Sequence, residues 1–267
     1  MRVVKMPSNY SGIKITIIGS GTCVPSLRRS SCSVLMETGG SKLLFDSGPG
    51  TMRRLLEADT EIIDLSYLFY SHFHPDHTGE LATILFAMKY SKWNRTKKYL
   101  KIIAGNGFNT FFQNLKSVYG DWIEIGSDTM DIVELDNQSF DLLEPGNFKV
   151  DFAPVEHNQE SIAYKITSSG GQSAVYSGDT DYSENLITLA KDVDVFICES
   201  AFPDDLKVKG HLTPSEAGKI AALAGVHKLV LTHFYPECDK ADIEKECRKT
   251  YSGPLVLAED LMKFEIN

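Results

Sequence analysis

Three imidazoles and a carboxylate crowd into the six positions His72-Phe73-His74-Pro75-Asp76-His77, between Ser71 and Thr78-Gly79-Glu80. Neutral imidazole and carboxylate are ligands for zinc, manganese or iron, and a turn lets alternate side chains reach two neighbouring ions. His72 and His74 can face one ion while Asp76 and His77 face the other. A single loop histidine is more often a surface polar residue than a ligand. Six of the seven histidines, however, lie in this segment or in later strand-end and loop motifs (His157, His211, His233). Only His227 lacks such a setting, and it reads as a surface residue. A paired-ion pocket of this kind activates water, so the chemistry to expect is hydrolysis.

Scattered ligands need a scaffold that gathers them. Short β-branched and aromatic runs alternate with longer amphipathic segments, which argues for an α/β protein. The pattern predicts strands at 14–18, 33–37, 42–45, 67–70, 99–103, 148–153, 162–166, 173–176, 193–197, 228–231 and 262–266. Helices are predicted at 52–57, 80–90, 107–118, 184–191, 214–224 and 240–249. Thr213-Pro214-Ser215-Glu216 supplies an N-cap hydroxyl, a proline at the first helical position and an early acid. Asp46, Ser71-His72, Glu156-His157, Ser177-Gly178-Asp179 and Thr232-His233 each follow an apolar strand. Ligands of open α/β sheets gather beyond the carboxyl ends of strands, so these residues can converge at one rim. Residues 136–147 interrupt the pattern with turn formers. The expectation is a single domain over 1–267 with two pseudo-equivalent halves, about 1–140 and 147–267. Stacked sheet to sheet with helices outside, they make a four-layer αββα sandwich.

Composition narrows the function. The chain of 267 residues carries a net charge of −9, which favours solubility and disfavours bulk electrostatic capture of nucleic acid. No stretch approaches the roughly 18 consecutive apolar residues of a membrane helix, and Met1–Gly12 has Arg2, Lys5 and Pro7 but no apolar signal core. A cytoplasmic setting without membrane partners is the expectation. Cys23, Cys32, Cys198, Cys238 and Cys247 are odd in number and unpaired in spacing, so they read as small hydrophobes, not a disulfide framework. The segment Glu80–Tyr99, with Leu81, Ile84, Leu85, Met88 and Trp93, could face a second subunit of a homodimer, although core packing is the commoner use of such a stripe.

His72-Phe-His-Pro-Asp-His77 resembles the H-x-H-x-D-H signature of the metallo-β-lactamase superfamily. His157, Ser177-Gly-Asp-Thr180 and His233 follow in that superfamily's order, and the likeness runs from Gly19-Ser-Gly-Thr to Ala258-Glu-Asp-Leu. It implies the αββα sandwich. It also implies that one ion takes His72, His74, His157 and Asp179, and a second takes Asp76, His77, His233 and the same Asp179 as a bridge, with a shared hydroxide between them. Ions roughly 3.5–4 Å apart lower the pKa of such a water and can clamp attacking and leaving oxygens. Asp46 in Leu-Phe-Asp-Ser-Gly is similar to the carboxylate that orients the ligands from behind. Zinc is the first choice of metal, with manganese or iron compatible. His74 stands where oxygen-reducing di-iron members carry glutamate, and Asp179 where many antibiotic hydrolases carry cysteine, so neither activity is implied.

Ile197-Cys-Glu199-Ser-Ala-Phe202 and Lys209-Gly-His211-Leu-Thr-Pro-Ser-Glu-Ala-Gly218 resemble paired motifs of ribonuclease Z and its phosphodiesterase relatives. The likeness gives His211 the task of acid catalysis or transition-state stabilisation and Glu199 that of orienting it, with Asp76 placed to take a proton from water. A capping histidine and a surface glutamate are the plainer alternatives. Gly19 to Pro25 and Arg28-Arg29-Ser30 are also similar to ribonuclease Z, and the two arginines could meet substrate phosphates. Ribonuclease Z holds tRNA with a long basic arm between the third-motif histidine and the bridging aspartate. Here His157 and Asp179 are only 22 positions apart, and Lys165 is the interval's only basic residue. The favoured reading is therefore a phosphodiesterase for a small or unstructured phosphodiester. The alternatives are a ribonuclease Z-type endonuclease that processes tRNA 3′ ends, a thioester or lactone hydrolase, or a metal-binding scaffold without turnover.

Overall fold

Runs such as Ile13–Gly19 (β1), Ser33–Thr38 (β2), Ser41–Phe45 (β3) and Tyr67–Tyr70 (β4) are apolar at most positions, the mark of strands covered on both faces. In the computed structural model, which describes residues 11–90, 99–126 and 128–267, they form the centre of a seven-stranded sheet. Leu100–Gly105 (β5) and Met130–Leu135 (β6) continue it on one side. The second half of the chain builds another seven-stranded sheet from Asp141–Leu143 (β7), Phe148–Pro154 (β8), Ile162–Ser168 (β9), Ser173–Tyr176 (β10), Val195–Glu199 (β11), Leu229–Thr232 (β12) and Leu255–Leu257 (β13). The last strand, Lys263–Ile266 (β14), crosses back and pairs antiparallel with β1 at the far edge of the first sheet.

Both sheets are mixed. Strands β3 to β6 run parallel in one, and β10 to β13 run parallel in the other. Alternate side chains face inward: Ile13, Ile15, Ile17, Phe45 and Phe69 meet Phe152, Tyr164 and Tyr176 in one buried core. Phe45 stacks on Phe69 at 4.7 Å, and Tyr164 packs against both. The opposite face of the first sheet, with Leu35, Leu44 and Leu68, is covered by Thr51–Glu57 (α1), Leu81–Tyr90 (α3) and Phe108–Tyr119 (α4). Glu184–Leu189 (α5), Pro214–Ala224 (α6) and Ile243–Cys247 (α7) belong to the second half, where Leu186, Ile220 and Ile243 join the core. The result is the αββα sandwich, with α2 (Pro75–Thr78) at its rim.

Several local expectations change. The edge strands β6, β7 and β13 are absent from the sequence-based pattern, and β7 lies inside the supposed break at 136–147. Helix α7 begins only at Ile243, because the Asp242 side chain accepts from Lys245 N and caps it there. Leu81, Ile84, Leu85 and Met88 are fully buried against the first sheet, so these four residues are core. Trp93 and the predicted signal-free residues 1–10 lie outside the described residues. No helix among the described residues is long and apolar enough to cross a membrane.

Candidate metal centre

All the strands that carry candidate ligands end on the same rim. Asp46 follows β3, His72 follows β4, Asp179 follows β10, Glu199 closes β11 and His233 follows β12. His74 is the N-cap of α2, whose first residue is Pro75, and this single helical turn carries Asp76 and His77. The rims of the two sheets touch at Gly178, in the left-handed region at φ 58°. A β-carbon there would lie 2.4 Å from Ser71 Cβ, so only glycine lets the β10 end approach the β4 end and bring Asp179 among the histidines.

Donor atoms of His72, His74, His157 and Asp179 lie within 4.8 Å of one another, as do those of Asp76, His77 and His233. Asp179 reaches both groups. Its Oδ1 is 3.2 Å from His77 Nε2 and 3.3 Å from His233 Nε2, and its Oδ2 is 3.7 Å from His72 Nε2 and 3.9 Å from His157 Nε2. His77 Nε2 and His233 Nε2 are 3.4 Å apart, and Asp76 Oδ2 lies 3.7 Å from the latter.

The polar atoms behind these groups fix the rings. Asp46 Oδ2 is 2.7 Å from His77 Nδ1 and accepts from Tyr176 OH at 2.6 Å and Ser71 Oγ at 2.7 Å, while its Oδ1 accepts from Ser71 N at 2.8 Å. His157 Nδ1 is held by the Gly210 carbonyl at 2.7 Å. With these outer nitrogens committed, the inner ones face other acceptors. His72 Nε2 and Asp179 Oδ1 are buried and have no hydrogen-bond partner. Nitrogen and oxygen atoms turned inward on one another, some of them buried without a partner, fit a divalent cation.

The electrostatics follow from that crowding. Burial, reinforced by repulsion from His77, holds the His72 imidazolium well below its ordinary pKa, and burial with His157 lowers His74. Burial alone would also discharge His77, but Asp179 and Asp46 outweigh it and raise the ring's pKa well above the usual value. A cation on Nε2 would compete with that proton for the same lone pair. Burial opposes the charge on Asp179 too, yet His233, His77 and His72 hold it well below the usual carboxylate range. Asp76 is held low in the same way, chiefly by His233.

At the edge of the cluster, His211 Nδ1 sits 3.0 Å from Glu199 Oε1 and 3.8 Å from Asp179 Oδ2. Burial disfavours the charged ring, but the Glu199 hydrogen bond and charge prevail and raise its pKa to about 9. Glu199 is buried and also accepts from Thr180 N at 2.8 Å and Ala201 N at 3.2 Å. It therefore fixes His211 and the residue after Asp179 together. His211 does not cap α6: Thr213 and Glu216 form that capping box.

The arginines separate. Arg28 is exposed. Arg29, expected to meet substrate phosphates, instead ties the 20–30 loop down: Nη1 donates to Ser20 Oγ and the Ala258 carbonyl, both at 2.8 Å, Nη2 reaches Asp239 at 3.3 Å, and the guanidinium covers Phe234. His227 stays outside the cluster, 68% exposed and 3.4 Å from Asp194. Other residues of the site carried no sequence signal. Asn158 Nδ2 is 3.1 Å from His74 Nε2, and Asp181 Oδ2 accepts from Gly210 N at 2.8 Å, fixing the loop that holds His157. A cavity of about 450 Å³ opens beside His157 and Gly210.

Two mixed sheets with a histidine and carboxylate cluster at one rim define a class of metal-binding hydrolase folds. The chain belongs to the β-lactamase superfamily, whose "Beta-lactamase superfamily domain" model matches residues 41–234. It is similar to ribonuclease Z of Methanosarcina mazei, at 27% identity, with 95% of this chain and 98% of the relative covered. That alignment spans 301 positions against the chain's 267 residues, so the relative carries insertions that this chain lacks. An uncharacterized protein of Mycobacterium tuberculosis is 31% identical over 252 residues, covering 91% of this chain and 88% of the relative. Among solved structures, the metallo-β-lactamase fold protein YhfI of Bacillus subtilis superposes with a TM-score of 0.81 at 25% identity, over 96% of this chain and all of that one.

Proposed function

We propose that this chain is a dinuclear metal-dependent phosphodiesterase acting on a small or unstructured phosphodiester. The observation that carries the reading is the His211 imidazole held 3.0 Å from buried Glu199 and beside the Asp179 carboxylate, a setting that favours its charged form. An acyl substrate needs no such cation next to the metal ligands, whereas a phosphoryl group spreads negative charge that a fixed donor stabilises.

In this reading His72, His74, His157 and Asp179 would hold one ion, and Asp76, His77, His233 and Asp179 would hold the other. When bound, two divalent ions, zinc first with manganese or iron compatible, acidify water and neutralise a non-bridging phosphoryl oxygen. Asp76 is ionised and takes the proton of the attacking water. As the bond from phosphorus to the leaving oxygen breaks, His211 supplies the proton that oxygen requires. Its Nδ1 is committed to Glu199, so Nε2 is the nitrogen left for the substrate. Asp46 keeps His77 in the tautomer that turns Nε2 inward.

Substrate size follows from what flanks the cluster. The interval from His157 to Asp179 is the β9–β10 hairpin, closed by a short turn with no arm. Together with a net charge of −9, this speaks against a grip on folded RNA. Pre-tRNA cleavage is the second reading, favoured by the likeness to ribonuclease Z. Metal-loaded protein should hydrolyse bis(p-nitrophenyl) phosphate and 2′,3′- or 3′,5′-cyclic nucleotides and leave a pre-tRNA 3′ trailer intact. The opposite pattern would replace the first reading with the second.

A further inference from the structure

A ring that hands a proton to a departing oxygen has to be fixed at its own backbone as well as at its partner. Glu199 fixes the His211 ring from the end of β11, but the residue itself stands in the loop between Ser200 and Thr213, whose regular structure is one short turn, Asp204–Leu206. The loop's backbone supplies some ties: His211 N donates to the Val208 carbonyl at 3.2 Å, and Ala201 N to the Leu212 carbonyl at 3.1 Å. Neither joins the loop to the segment that bears Asp179.

Asp181 makes that connection, with both carboxylate oxygens. It stands two residues beyond Asp179, and its own N donates to the Glu156 carbonyl at 2.6 Å. Oδ2 accepts from Gly210 N at 2.8 Å, and the Gly210 carbonyl in turn holds His157. Oδ1 accepts from Lys207 Nζ at 2.7 Å. The same ammonium donates to the His211 carbonyl at 2.6 Å and to Glu216 in the capping box of α6. One oxygen of Asp181 therefore serves a metal-ligand candidate, and the other serves the proton donor beside it.

An ammonium has three protons to give, and here acceptors on three separate segments take them. The Lys207 side chain is 31% exposed, and an ion pair in such a place adds only about 0–1 kcal/mol to stability. Stability alone does not account for three charge-assisted bonds that converge on the carbonyl of the donor residue.

We infer that Lys207 is a positioning residue for His211: it ties the carbonyl of that residue to the loop beyond Asp179, so that the imidazole meets the metal centre at a set distance. The consequence for catalysis rests on the phosphodiesterase reading; the tether itself does not. Because Gly210 keeps its own bond to Asp181, loss of the lysine should free His211 and leave His157 in place.

Lys207→Met, which keeps most of the side chain and removes the donor, tests this on metal-loaded protein. On a 3′,5′-cyclic nucleotide, whose leaving alkoxide needs protonation, kcat should fall about tenfold with KM within about twofold of wild type. On bis(p-nitrophenyl) phosphate, whose leaving group needs no proton, kcat should stay within about twofold, and metal content should be unchanged. Lys207→Arg keeps a charged donor; it should recover part of the loss and guards against a folding defect in the first variant. In a crystal structure of Lys207→Met, the His211 ring should have left its place 3.0 Å from Glu199 or be spread over more than one position. If wild type cleaves neither ester, the phosphodiesterase reading falls and the place of the ring in the variant decides the tether alone. Equal losses on both esters, bound metal lost in step with activity, or a ring unmoved in the variant overturns the inference.

Discussion

Replacing Glu199 by glutamine removes a charge from beneath His211 while keeping the side chain's shape and an acceptor for Thr180 N. The ring's pKa of about 9, against an ordinary 6.5, amounts to roughly 3 kcal/mol of preference for the charged form. Glu199 is the main source of that preference, since burial works against it. In the variant the pKa should return to 6.5 or below. At pH 8 the wild-type ring is about nine-tenths charged and the variant's about 3%, so a step that needs this proton should slow about 30-fold. Below both descending limbs the two enzymes should coincide. Cations in the neighbouring cluster would move both descending limbs to lower pH together and leave their separation. The assay is kcat/KM from pH 5.5 to 10 on a 3′,5′-cyclic nucleotide, whose leaving alkoxide needs protonation, beside bis(p-nitrophenyl) phosphate, whose leaving group does not. The cyclic nucleotide should carry most of the loss. Superimposable profiles for Glu199→Gln and wild type, with metal content equal, would refute the role given to His211; so would equal loss on both substrates at every pH.

Asp46→Asn should lower metal affinity about 10- to 100-fold in chelator competition, because an amide cannot accept from Tyr176, Ser71 and His77 as the carboxylate does. Chelation should abolish hydrolysis while the far-ultraviolet circular dichroism survives, since the core between the sheets lies apart from the ligands; elemental analysis after reloading should find two ions per chain, and one ion would remove the bridging role of Asp179. Arg29→Ala should destabilise the protein by about 1–3 kcal/mol in urea titration, through the lost bonds to Ser20, Ala258 and Asp239, with little change in KM. A large KM effect without loss of stability would return Arg29 to the substrate.

The central strands were legible because burial on both faces leaves a continuous apolar run, as in Tyr67–Tyr70 and Val195–Glu199. The three missed strands, β6, β7 and β13, all lie at sheet edges, where partial exposure admits Asp131, Glu134 and Asp141 and dilutes the pattern. Ligand candidates stood out for a related reason: His72, Asp179 and His233 are polar residues directly beyond apolar strands. Their supports did not. Tyr176 reads as one more strand aromatic, yet its hydroxyl crosses from the second sheet to Asp46 in the first. Arg29 misled because a basic pair in a loop looks free until Ala258 and Asp239 arrive from more than 200 residues away.

Strain and unmatched polarity coincide at this rim. Asp46 and His233 adopt left-handed backbone, at φ 57° and 60°, a conformation that costs a non-glycine residue about 1–3 kcal/mol. Each is the first residue beyond a parallel strand, and the reversal brings its side chain back over the seam between the sheets. There Asp179 Oδ1 and His72 Nε2 lie buried without hydrogen-bond partners. Stability alone would favour relaxing both turns and replacing these groups with apolar ones, because buried charges seldom recover their desolvation. Cations that take up the lone pairs would recover it, coupling metal affinity directly to the conformation of these two turns. Stabilising the fold elsewhere should therefore leave metal affinity unchanged, whereas relieving either turn should weaken it.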